Sequence, residues 1–128
     1  MSLEQTIAII GASTLLIVVL FQLLLAAGLP LGQAAWGGQH RVLPPPLRWG
    51  SLAASVALAA AAWVILARAG LVAPGAGSLG VRSTTWVFFG MFALNSLGNG
   101  VSTSRAERYV MTPITVLLCA CFLILALA

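Results

Sequence analysis

Apolar residues run along this chain in long blocks, with no strand-like alternation between them. Four blocks stand out, over about 6–28, 46–68, 83–100 and 110–128. Each approaches the roughly 20 apolar residues a helix needs to cross the hydrocarbon of a bilayer. The first ends at Gly28, ahead of Pro30. The second begins within Pro44, Pro45 and Pro46, because proline suits a first helical turn. Thr112 followed by Pro113 reads as a cap and first-turn pair for the fourth. The predicted fold class is all-α: a four-helix transmembrane bundle with up-down topology, forming one integral membrane domain over residues 1–128.

The connections differ in kind. Leu29 to Leu47 is long and carries Trp36, Gly37, Gly38, His40 and Arg41. Ala69 to Arg82 is glycine-rich and reads as a tether. The stretch STSRAERYV is short and charged. Near the N-terminus there is no basic segment and Glu4 is acidic, so the first block reads as a retained span and not a cleaved signal.

Composition makes the membrane reading firm. The chain is 61% hydrophobic and 6% charged, against roughly 25% charged in soluble domains. Six arginines, two glutamates and no lysine or aspartate cannot coat a soluble surface, nor build a basic face for nucleic acid. The net charge of +4 instead suits anionic headgroups and sets orientation. Arg41, Arg48, Arg105 and Arg108 flank the first and third connections, and Arg68 and Arg82 the opposite side. Positive-inside counting predicts that the first and third connections face the cytoplasm and that both termini lie outside.

The uncharged polar residues cluster by depth. Gln22, Ser51, Ser55, Asn95, Asn99, Thr112 and Thr115 all fall in the half nearer the first and third connections. Asn95, Asn99 and Ser102 make one stripe if the helix persists that far, and Arg108, Thr112, Thr115 and Cys119 make another. Two readings stay open: hydrogen bonds that glue helices together, or a polar pocket open to the cytoplasm and capped by the first connection. Ser51, Ser55 and Ala59 form a small-residue stripe, placing the second helix at the centre of the bundle or at a subunit contact. Trp49 and Trp86 suit the two interfacial aromatic belts. Cys119 and Cys121 point about 200° apart on a helix, so packing is their expected role.

The candidate ligand- or anion-binding residues are His40, Arg41, Arg48, Asn95, Asn99, Arg105, Glu107 and Arg108. Glu107 is the only carboxylate beyond the N-terminal segment, so it is expected to pair with Arg41 or Arg48 and lock two connections together. His40 is a second candidate partner for it, and the arginines with His40 form a candidate cradle for a lipid phosphate. A lone histidine without further ligands argues against a metal, and no cofactor motif is present. With Glu107 the only carboxylate beyond the N-terminal segment, paired-carboxylate catalysis within one chain is excluded.

WGGQHRVLPPPLRWGS, followed later by NSLGNGVSTSRAERYVMTP, resembles a pattern in uncharacterised small four-span bacterial integral membrane proteins of actinobacterial type. The resemblance implies a topology and no activity. The expected function is a non-enzymatic membrane protein binding a lipid headgroup, small ligand or partner at its cytoplasmic face. One alternative is a homo-oligomeric small-solute or ion transporter or channel; the polar-poor outer half counts against it. The other is a membrane-embedded enzyme using His40 and Glu107. The partners implied are the lipid bilayer, anionic headgroups or a second copy of the chain, and no nucleic acid.

Overall fold

The computed structural model describes residues 1–128 and contains four long helices and no strand. They are α1 (Leu3–Ala26), α2 (Pro45–Arg68), α3 (Leu79–Gly100) and α4 (Thr112–Leu127). α1 starts earlier than its apolar block because Ser2 and Gln5 form a reciprocal capping box. α2 starts at Pro45, where a missing N–H costs nothing. α3 also starts early, since the Ser78 hydroxyl accepts from Val81 N–H and brings Arg82 into the first turn.

Three stretches are long and apolar enough to cross a membrane: Leu3–Ala26, Pro45–Arg68 and Glu107–Leu127. α3 has 22 residues, but Arg82, Asn95 and Asn99 dilute its apolar character. Large apolar side chains such as Leu16, Ile17, Val56 and Val87 point outward from the bundle. A water-facing surface would penalise that arrangement; a lipid-facing one requires it.

α1 packs chiefly on α2, and α3 on α4. α1 also meets α4, whereas α2 and α3 touch more sparingly. The core joins Ala8, Leu15, Ala61 and Ile65 to Phe92 and Phe122, whose rings lie 5.3 Å apart. The buried face of α2 runs Ser51, Ser55, Leu58, Ala62, Ile65. Steps of four, three, four and three stay on one side of a 3.6-residue helix. A strict four-residue step drifts by about 40° each time, so the expected third member of the small-residue stripe, Ala59, is exposed. Cys119 and Cys121 are free, as their angular separation requires.

The two ends of the bundle are closed differently. At one end Arg68 donates to the carbonyls of Ala76 (3.3 Å) and Ala128. This brings the second connection beside the end of α4. At the other end the first and third connections meet, as an up-down bundle dictates. The first connection is built from two short 3-10 turns, Gly32–Ala34 and Trp36–Gly38. Leu25, Ala35 and Leu43 form a small core beneath them.

The approach to α4 departs from expectation. Thr112 is no N-cap, because helical structure already begins at Arg105 and passes through a π turn at Glu107–Met111. Pro113 has no N–H and its ring crowds the preceding turn. Opening that turn by one residue relieves the crowding. Thr112 N–H and its hydroxyl both donate to Glu107 O. The extra residue changes which side chain shares the inward face with Thr115. Arg108, the expected member, is exposed; Glu107 is buried.

Candidate functional site

A cavity of about 690 Å³ lies between α2 and α3 at the end closed by the first and third connections. Val18 and Gln22 of α1 and Thr115 and Leu118 of α4 line its inner side. Its mouth runs between Ala54 and Ala57 of α2 and Asn95 and Gly98 of α3. These residues are small or short, which is why α2 and α3 fail to close on one another.

The first connection roofs the cavity. Ala35, Trp36 and Gly37 all contribute to its lining. Trp36 Nε1–H donates to the Ser51 hydroxyl at 3.0 Å. Its six-membered ring lies so close to Gly50 that a Cβ there would sit 3.0 Å from ring carbons. Trp36, Gly37 and Gly38 all have positive φ, at 52°, 79° and 72°. For Trp36 that conformation costs about 1–2 kcal/mol, and its anchorage on α2 offsets the cost. Gly38 meets the third connection directly, where a Cβ would fall 2.4 Å from Ser104 Cβ.

Glu107 stands at the covered end with 6% of its surface exposed. Oε1 accepts from Gly37 N–H at 2.9 Å, and Oε2 from the Ser102 hydroxyl. Ser102 Oγ accepts in turn from Ser104 N–H at 3.1 Å, which directs its single proton toward Glu107. The Ser104 hydroxyl donates to Gln33 O, adding a second strap between the connections. Further inside, Asn99 Nδ2–H donates to Thr115 Oγ1 at 3.5 Å. Gln22 Oε1 is buried with no hydrogen-bond partner.

The candidate residues therefore separate. Asn95, Asn99 and Glu107 line the cavity together. His40, Arg41, Arg105 and Arg108 are exposed and lie outside its lining. Arg48 is half-buried, its Nε–H donating to Ala26 O at 2.9 Å. There the cation serves the carbonyl end of α1, where the helix dipole favours it.

The expected pairing of Glu107 with Arg41, Arg48 or His40 is replaced by a bond to the backbone of the same connection. The three positive-φ residues turn the Gly37 N–H inward, and Arg48 is already committed to α1. The two connections are locked as anticipated, by neutral donors. Gln22, Ser102, Thr115 and the Gly37 N–H complete the site although none was a candidate. Gln22 and Thr115 were visible as polar residues at the right depth; the Gly37 N–H carries no sequence signal at all.

No family model, no curated protein and no solved structure matches this chain.

Proposed function

We propose that the protein is a small, non-enzymatic integral membrane protein that holds a small apolar-bodied ligand in the capped pocket. One observation carries this reading. A 690 Å³ cavity has apolar walls and gathers Glu107, Asn99 and Gln22 toward its covered end. Ligand sites generally have this volume, with mostly apolar walls and a few convergent polar groups.

We place it in a bacterial inner membrane with four spans. α3 is about 33 Å long at 1.5 Å per residue, and exposes Val87, Leu94 and Leu97. The excess of Arg41, Arg48, Arg105 and Arg108 puts the pocket at the cytoplasmic face and both termini outside. The lining extends no deeper than Leu58, Met91 and Leu118, beyond which aromatic core fills the bundle. That favours a binder over a conduit through one chain. His40 is exposed and outside the lining whereas Glu107 is buried in it, so the two do not converge, which disfavours an enzyme built on that pair.

Native mass spectrometry of protein released from mild detergent tests the reading. A retained adduct is expected, and Ala54→Trp, which fills the mouth, should remove it. An adduct indifferent to Ala54→Trp, or none at all, would sink the idea. Solute flux through liposomes would instead support a homo-oligomeric channel.

A further inference from the structure

We infer that the pocket selects an amphiphile carrying a protonated primary amine, with Glu107 as its counter-charge. This rests on the pocket-binding reading above and names the ligand class. Glu107 lines the cavity, is buried, and is held only by neutral donors from Gly37 and Ser102. A carboxylate has about four lone-pair sites, and these bonds occupy two. Buried acidic groups are usually matched by a cation, because desolvation is otherwise uncompensated.

The chain has six arginines, yet none lines this cavity. Arg48 is bonded to Ala26 O, Arg68 to Ala76 and Ala128, and Arg41, Arg105 and Arg108 are exposed. The missing cation is therefore to be supplied by the occupant. The rest of the polar lining agrees. Asn99, which lines the cavity, uses an Nδ2–H on Thr115 and leaves its carbonyl oxygen unbonded. That acceptor suits an N–H group. A phosphate or carboxylate head would meet Glu107 with like charge. Val18, Leu58, Phe92 and Leu118 supply the wall for an apolar body, and the gap beside Ala54, Ala57 and Gly98 lets a chain pass toward lipid.

The test titrates the full chain, in uncharged maltoside micelles, with dodecylammonium, dodecanol or dodecanoate, and reads one-to-one adducts by native mass spectrometry. Dodecylammonium should be retained about tenfold more strongly than dodecanol, the size of one charge-assisted hydrogen bond. Glu107→Gln should abolish the preference. Asn95→Asp, which adds a carboxylate at an exposed position of the lining, should strengthen it; this variant serves even if Glu107→Gln does not fold. Arg105→Ala should change nothing. Equal retention of amine and alcohol, or better retention of the acid, overturns the inference.

If all three amphiphiles bind and Ala54→Trp releases them alike, the pocket reading stands and only the amine preference fails. If Ala54→Trp releases none, both fail. Nanodiscs separate the sources of the amine. Selective co-purification of phosphatidylethanolamine assigns it to a lipid headgroup. Retention of added dodecylammonium alone assigns it to a free amphiphile. Enrichment of phosphatidylglycerol overturns the inference.

Discussion

The backbone N–H of Gly37 donates to Oε1 of Glu107 at 2.9 Å across a separation of 70 residues. This single bond joins the roof of the pocket to the foot of α4. Ser102 holds the other carboxylate oxygen, so one side chain ties together both connections at this end. Glu107→Ala would orphan both donors. Each orphaned buried donor costs about 1–3 kcal/mol. Thermal unfolding in detergent should show the loss, and Glu107→Gln, which keeps one acceptor oxygen, should recover a substantial part of it.

Gly38 tests the fit between the connections. Its φ is 72°, and a Cβ would lie 2.4 Å from Ser104 Cβ. Gly38→Ala combines an unfavourable backbone conformation with that clash, and should cost more than about 1 kcal/mol. The roof should lift before the bundle melts. Hydrogen exchange should therefore rise in residues 32–38 and 102–107 while the helices remain protected.

Trp36 should show how much the roof depends on α2. Trp36→Phe keeps an aromatic side chain in the first connection but deletes the 3.0 Å bond to Ser51. The expected penalty is about 1 kcal/mol. Gly50→Val should cost more, since its branched side chain takes the space of the indole. Paired melting curves of the two variants check the order.

Pro113 should control the π turn. Pro113→Ala restores an N–H and removes the ring that crowds the preceding turn. If the turn closes to α-helix, residues before it rotate by about 100° relative to α4. Glu107 would then leave Gly37, and Arg108 would approach the inner face. A cysteine at position 108 should lose reactivity toward a water-soluble maleimide in the Pro113→Ala background, and keep it if the π turn persists.

Orientation has its own check. His40→Cys and Gly75→Cys lie on opposite ends of the bundle, in exposed segments. In intact cells an impermeant thiol reagent should label position 75 and spare position 40. The reverse pattern would turn the protein over, leaving the pocket at the outer face.

The pattern of apolar blocks by itself determined the four helices, because backbone groups out of reach of water must bond within their own segment. It also placed Gln22, Asn95, Asn99 and Thr115 in one half of the bundle, since depth follows from position along a span. It could not say which polar groups meet. Arg41 and Arg48 were the evident partners for Glu107 by charge, but pairing depends on direction as well as sign. Three consecutive positive-φ residues turn a backbone N–H inward, and a proline opens one helical turn. Those two local events put Glu107 inside and Arg108 outside. Only the tertiary structure decided them, because a one-residue shift at a π turn and the rotation of one peptide plane leave no periodic trace in the sequence. They are also what converts a polar half-bundle into a roofed pocket with an acidic group inside.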